Sequence, residues 1–323
     1  MAFATMRRKF WSFLLRTGLP RLFSDEFFTK FLYWSYVGKR LNLETPRDIN
    51  QKIQWLKVYY RNPLIVTCAD KWAVRKYVED RIGPGYMTRC LGVFSRAEDI
   101  NFGSLPDRFV LKATHASGWN VICQDKSRLN WKDAAAKVHK WLKRDFSRVG
   151  REWQYGQIPP KIICEEYIDA LDRGEFMDYR LFAFNGDVKF VLVEFSRQED
   201  GKWDVSEEKV GGNKPNRRKG VVHYTNFYKP DWEGFPGVVV GDAKSDPDSI
   251  ARPECLDEMI SAARKLAGGF PFCRVDFYVL NGKKALFSEL TFTPAKGCYM
   301  FNSQDFADKM GDCLVLPEKE SDR

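Results

Sequence analysis

An α+β fold built on antiparallel strands is what the sequence predicts, and three observations predict it. Two Asn-Gly dipeptides, Asn185-Gly186 and Asn281-Gly282, each sit between strand-like runs, the signature of a tight β-hairpin. Residues 108–114, a small-residue loop around Ala116, Ser117 and Gly118, and residues 121–124 form a strand, loop, strand unit. Amphipathic segments of helical period, at 49–60, 69–81, 131–146 and 253–267, punctuate these strands.

In chain order, Phe10, Trp11, Phe13, Leu14 and Leu15 stand among Arg7, Arg8, Lys9 and Arg16. A helix of this kind either rests on an anionic membrane surface or packs on the main body. Packing is the expectation, because apolar helical faces usually serve a core. After Pro46 a helix is expected over 49–60, broken by Asn62-Pro63, and a second over 69–81, ended by Gly83-Pro84-Gly85. Strand-like 86–94 leads to a loop at 99–106 and then to the strand unit. The helix expected over 131–146 puts Ala134, Val138, Trp141 and Leu142 on one side. Residues 161–167 follow Pro159-Pro160 as a strand, and the first Asn-Gly hairpin joins 179–184 to 188–195. The polar, Gly-rich, basic stretch 198–220 reads as a mobile loop. A last helix over 253–267 delivers the chain to the second hairpin. No repeat of roughly 20 to 50 residues interrupts this order.

Composition narrows the function. At 323 residues the chain has ample length for a buried core, and no apolar run is long enough to span a bilayer. The basic beginning is followed by an apolar stretch interrupted at Ser12 and Arg16, so no cleaved signal peptide is expected. The eight cysteines form no C-x-x-C pair and read as reduced residues of a cytosolic protein. Three histidines, His115, His139 and His223, leave little material for zinc, whereas carboxylate-held magnesium fits. The net charge of +9 concentrates in the first 60 residues, where 11 Lys or Arg face 4 Asp or Glu.

Chemistry is concentrated in residues 272–294. A two-residue turn at Asn281-Gly282 pairs Leu280 with Lys283, and counting outward sets Arg274 opposite Glu289 and Asp276 opposite Phe287. Arg274, Asp276, Phe287, Glu289 and Thr291 would then share one face. Cys273, Val275, Phe277, Leu286, Ser288, Leu290 and Phe292 would form the packed face. The diagonal carboxylates, roughly 7 Å apart at Cβ, suit one or two magnesium ions. A cross-strand ion pair between Arg274 and Glu289 is the alternative that the residues leave open.

Asp70-Lys-Trp-Ala-Val-Arg-Lys-Tyr-Val78, Phe109-Val-Leu-Lys-Ala-Thr-His-Ala-Ser-Gly-Trp-Asn120, Arg151-Glu-Trp-Gln-Tyr155 and Ser288-Glu-Leu-Thr-Phe-Thr-Pro294, in this order, resemble the TupA-like branch of the ATP-grasp enzymes. The branch is named for teichuronopeptide biosynthesis, and the resemblance spans roughly residues 40 to 313. It implies an ATP-grasp fold, two α+β subdomains clasping ATP between antiparallel sheets. Residues 1–45 are then a basic helical extension, 46–105 an N-terminal part, 106–168 the small subdomain, 169–313 the metal-binding subdomain and 314–323 a polar tail. Residue by residue, the resemblance gives Lys71 and Lys112 the nucleotide phosphates and folds Ser117 and Gly118 over them. Glu165 would accept from the adenine amino group, with the backbone of Glu166 and Ile168 completing the adenine edge. Asp178 matches the ribose-binding acid, with Glu175 as rival. Asp276 and Glu289 match the magnesium ligands and Arg274 the cation beside the transferred phosphoryl group. Many ATP-grasp ligases have Asn where Thr291 stands, and a hydroxyl there can still hold magnesium or its water. His115, Trp119, Lys296 and Tyr299 either face an acceptor or pack.

The activity so implied is ATP- and Mg2+-dependent ligation of a carboxylate to an amine through an acyl phosphate. The substrates would be sugar or polysaccharide precursors of the cell envelope. A kinase or a glycosyltransferase-pathway enzyme acting on the same precursors is the alternative. A nucleic-acid-binding module resting on the basic segments, Arg217 to Lys219 included, is disfavoured because those charges lie in distant parts of the chain. The setting expected is the cytoplasm, with contact between the N-terminal basic segment and the inner face of the membrane left open.

Overall fold

Trp11 fastens the first helix to the second, its ring centroid 4.9 Å from that of Phe28 and 5.0 Å from that of Phe31. In the computed structural model, which describes residues 2–169, 176–198 and 220–319, these helices are α1 (Ala2–Thr17) and α2 (Asp25–Val37). Ser24 caps α2 by accepting from the Phe27 amide, and Gly38 ends it in the left-handed region. The packing expected of the N-terminal helix is present on its Trp11 face. Asp48 caps α3 (Ile49–Tyr59), which buries Ile49, Ile53 and Leu56.

The helix expected over 69–81 starts only at Val74, as α5 (Val74–Ile82), and a short helix that was not expected, α4 (Leu64–Ala69), precedes it. Pro63 stands just before α4, where a missing N–H does no harm, so it opens a helix rather than only closing one. The break follows from Asp70, whose carboxylate accepts from the Trp72 amide and turns the chain. That turn presents Lys71.

A four-stranded antiparallel sheet follows, in the order β1-β4-β2-β3, from β1 (Cys90–Phe94), β2 (Phe109–Ala113), β3 (Asn120–Cys123) and β4 (Ile162–Glu166). Between β3 and β4 lie α6 (Trp131–Leu142) and the single turn α7 (Ser147–Gly150). Ala134 and Val138 of α6 pack on Phe109, Leu111 and Ala113. His115 and Trp119 belong to this core: His115 is buried with Nε2 3.1 Å from the Trp141 carbonyl, and Trp119 stacks on Trp141.

The second sheet is five-stranded, in the order β7-β6-β5-β8-β9. Its strands are β5 (Phe176–Phe184), β6 (Asp187–Gln198), β7 (Val221–Tyr228), β8 (Phe272–Leu280) and β9 (Lys284–Thr291), with α8 (Leu256–Ala267) between β7 and β8. The first Asn-Gly turn is as expected, joining Phe184 to Asp187 with both turn residues at positive φ. The expected loop 198–220 lies outside the described residues except at its ends. The helix expected last is followed by another, α9 (Gln304–Asp312), which rests on α3. Gly311 makes that approach possible, since a Cβ there would lie 2.1 Å from the Arg47 carbonyl oxygen.

The second hairpin corrects the expected register. Leu280 pairs with Lys284, and a bulge at Ser288 shifts the ladder again, so Asp276 lies opposite Glu289 and Arg274 opposite Thr291. The bulge also reverses the face of the strand that follows it. Ala285 and Phe287 join Val275, Phe277, Leu290 and Phe292 in the core, and neither Phe287 nor Leu286 lies on the face expected for it. The Phe287 amide donates to the Tyr86 carbonyl at 2.7 Å, which stabilises the bulged strand from outside the hairpin.

Helices cover this sheet unequally. Leu181, Val191, Val193, Val275 and Phe277 pack under α8 with α4 and α5. On the other face Phe182, Phe184, Phe190, Leu192 and Phe272 lie under α3, α9 and the α1–α2 pair. Where that cover ends, the same face changes from aromatic to charged.

Candidate active site

The charged end of the sheet is made by strand parity. Alternate residues of β5 bring Asp178 and Arg180 to one face, and β8 adds Arg274 and Asp276, with Asp276 directly opposite Arg180. The Arg274 guanidinium lies 2.8 and 2.5 Å from the two oxygens of Asp276, and its third nitrogen donates to the Tyr299 hydroxyl at 3.1 Å. It also reaches Glu289 at 3.4 Å and Thr291 at 3.3 Å, while the Thr291 hydroxyl donates to Glu289 at 2.9 Å. Arg180 is held by Asp178 at 2.8 Å and Glu194 at 2.7 Å. The second Asp178 oxygen, Oδ1, is buried and has no protein partner.

The small sheet supplies cations across the cleft. Lys112 on β2 lies 2.6 Å from Glu165 on β4, whose other oxygen accepts from Arg75 at 2.9 Å. Arg75 is fixed in turn by the Thr88 carbonyl at 2.6 Å. Burial alone would push the Lys112 ammonium down; Glu165 outweighs it, with help from Tyr278 and Glu289, and keeps it protonated. Lys71 reaches the Ala116 carbonyl with its ammonium, at 2.7 Å, and the Thr114 carbonyl with its amide, at 3.2 Å. The loop carrying Ser117 and Gly118 is therefore tied to Lys71. Burial holds Lys71 below the ordinary lysine range, opposed by Glu289 on one side and Glu165 on the other. Desolvation pushes Glu289 up, but Lys71 and Arg274 overcome it and the net shift is downward.

The residues singled out in the sequence that lie in the described chain have these positions. Lys112, Asp276, Glu289, Thr291 and Arg274 converge from the two sheets, joined by Lys71 from the turn between α4 and α5. Glu165 is buried with both oxygens engaged, so its side chain positions Lys112, and reading adenine would require one of those bonds to exchange. Glu166 is exposed beside it, and the described chain continues through Ile168 to Asp169. Asp178 stands beside Tyr278 and Asp276 on the charged face; its rival Glu175 lies outside the described residues.

A family profile matches residues 51–214 and 217–315, that of TupA-like ATP-grasp proteins. The chain belongs to the TupA-like ATP-grasp family. It carries the ATP-grasp fold, two antiparallel sheets with a cleft between them. Among solved structures it is similar to D-alanine–D-alanine ligase from Bacillus anthracis complexed with ATP, at 16% identity and TM-score 0.39, over 77% of this chain and 60% of that one. It is similar to the Helicobacter pylori D-alanine–D-alanine ligase at 11% identity and TM-score 0.40, over 83% and 71%. For D-cycloserine synthetase DcsG the figures are 14%, 0.37, 78% and 70%. The chain spans 60% and 58% of the first two ligases it matches, a D-alanine–D-alanine ligase from Bacillus anthracis and the ATP-grasp ligase PsnB complexed with minimal precursor. No curated protein matches it in sequence.

For this ATP-grasp chain the donor chemistry suits a hard cation. Asp276, Glu289 and Thr291 offer oxygens only, the orphaned Asp178 oxygen lies beside them, and a carboxylate paired with arginine keeps free lone pairs. No three His, Cys, Asp or Glu side chains converge as a metal cage among the described residues, so water and phosphate oxygens would complete the shell.

Sequence reasoning passed over several site residues. Arg75 lies one turn beyond Lys71 and Arg180 two residues beyond Asp178, both inside segments already singled out; the periodicities of helix and strand were the signal. Glu152, buried and bonded to the Thr293 hydroxyl, stands in the 151–155 motif with no role assigned to it there, and Lys57, buried and bonded to the Gly150 carbonyl at 3.1 Å, carries no local pattern.

Proposed function

We propose that this protein is an ATP- and magnesium-dependent carboxylate–amine ligase that works through an acyl phosphate on a sugar or polysaccharide precursor of a cell-surface polymer. The single observation that carries the reading is the convergence of Lys71 and Lys112 on one side of the cleft with Arg274, Asp276 and Glu289 on the other. Lys71 and Lys112 would bind the phosphates, Lys112 held by Glu165 and Arg75 so that little ordering is left to do on binding. Ser117 and Gly118 would close over them, with Glu166 and Ile168 offering backbone groups to the adenine. Asp276, Glu289 and Thr291 would hold magnesium, which when bound neutralises charge on the phosphate oxygens. Arg274, steadied by Tyr299, would stabilise the phosphoryl group as it passes to the substrate carboxylate. An amine then attacks the acyl carbon and expels phosphate. This route needs no side-chain nucleophile.

The proposed setting is the cytoplasm, at the inner face of a membrane. Among the described residues no helix is long and apolar enough to cross one, and all eight cysteines are free. The reaction is tested by supplying MgATP, a uronic acid and hydroxylamine, which traps an acyl phosphate as a hydroxamate. Hydroxamate formed in step with ADP is the expected result. Release of ADP and phosphate with no hydroxamate or amide would refute the ligase reading, and a stable sugar phosphate would identify a kinase.

A further inference from the structure

Large apolar side chains exposed to solvent are concentrated at one place. Of ten such residues in the described chain, seven lie between residues 6 and 34: Met6, Phe10, Phe13, Leu19, Leu22, Phe27 and Trp34. Helical spacing explains the first three. Met6, Phe10 and Phe13 are four and three residues apart and share the face of α1 turned away from Trp11. Phe13 is 63% exposed, and Leu22, in the turn between the helices, 84%. Phe10 lies 6.3 Å from Phe31, itself 5.3 Å from Trp34, so the two helices present one aromatic surface.

Charge identifies the occupant. The α1–α2 segment, residues 2–37, has six Lys or Arg against two acids. Both acids are engaged, Asp25 by Arg151 at 3.1 Å and Glu26 by Lys30 and Tyr59. Lys9 is exposed beside the apolar stripe. Apolar side chains with surplus positive charge match a bilayer with anionic headgroups. The pair of helices is also firmly mounted. Arg151 reaches Asp25 and the carbonyls of Pro20 and Phe23, and its guanidinium lies 5.0 Å from the Phe28 ring centroid. Its neighbour Glu152 binds Thr293, just past the metal-face strand β9.

We propose that residues 6–34 form a docking face for an anionic lipid surface, mounted through Arg151 on the side of the cleft that follows Thr293. The face deepens the ligase reading by bringing that side of the cleft to a membrane, where a precursor held at the surface would meet it; lipid binding itself is measured independently of turnover. The test is sedimentation of the full chain with phosphatidylcholine vesicles, with and without phosphatidylglycerol. MgATP binding is measured in parallel by calorimetry, and Phe13→Asp with Leu22→Asp serves as the variant. The expected result is partition onto phosphatidylglycerol vesicles that weakens with salt and falls at least tenfold in the variant, with MgATP binding unchanged. Equal partition of wild type and variant, or no preference for the anionic vesicles, would overturn the proposal. So would a concentration-dependent dimer, dispersed by the same substitutions, with no vesicle binding. Vesicle binding without MgATP binding would refute the ligase reading and leave the docking face standing.

Discussion

Lys112 and Arg75 reach the two oxygens of Glu165 from different elements, β2 and α5, and neither contact can be replaced by water at a buried site without loss. Arg75→Ala should free Glu165 to shift and Lys112 to lose its fixed position, weakening MgATP about tenfold in calorimetry. Arg75→Lys should not rescue it, because the guanidinium serves Glu165 and the Thr88 carbonyl at once. Lys57 gives a pH prediction. Burial pushes its ammonium down to about 8, and below that pH it is charged in both folded and unfolded chains, so the burial penalty is fully present. As pH rises from about 8 to the ordinary lysine value of about 10.4, the folded protein gives up the proton first and its stability increases. Urea unfolding at pH 7.5 and 9.5, between which the effect amounts to roughly 2 kcal/mol, should show that rise in the wild type and lose it in Lys57→Met. The motif residues Lys71, Lys112, Asp276 and Glu289 were legible because each stands at a telling place in a strand or turn. Arg75 and Glu152 were not, because their roles come from partners 90 and 141 positions away in the sequence.

At the scale of elements, the hairpin β8–β9 shows what a turn signal can and cannot give. Asn281-Gly282 located the reversal, and both residues have the positive φ that this turn demands. The bulge at Ser288 was not legible: Leu286, Phe287 and Leu290 are all apolar, and the choice among them is made by the core and by the Tyr86 carbonyl. Deleting Ser288 would remove the extra residue and keep Glu289 opposite Asp276 and Thr291 opposite Arg274, so the deletion variant should still unfold cooperatively in a circular dichroism melt. Beyond β9, Ala295 and Lys296 both adopt left-handed backbone, at φ 49° and 59°. Gln54 of α3 holds this strained turn through the carbonyls of Lys296 and Gly297, each at 2.9 Å. Gln54→Leu should lower stability by roughly 2–3 kcal/mol in urea unfolding, since the strain stays and its support goes. The late start of the helix expected over 69–81, at Val74, belongs to the same class. Helical periodicity runs across Asp70, and only the side-chain bond to the Trp72 amide interrupts it.

For the whole molecule, the aromatic residues on one face of the five-stranded sheet lie under α3, α9 and the α1–α2 pair, and the charged residues of that face stand outside this cluster. The α+β class and both hairpins followed from local patterns, whereas the position of α9, the order of the strands and the meeting of Lys112 with Tyr278 across the cleft depend on contacts between distant segments. The central claim is that the charged part of this face and the lysines opposite it form one magnesium-dependent nucleotide site. Calorimetric titration of ATP, with and without magnesium, into the wild type, Lys112→Ala and Asp276→Asn tests it most directly. Magnesium-dependent binding in the wild type, weakened at least tenfold in folded Lys112→Ala and no longer magnesium-dependent in folded Asp276→Asn, is the predicted result. A folded wild-type protein that binds no ATP, or binds it equally well in both variants, would contradict it.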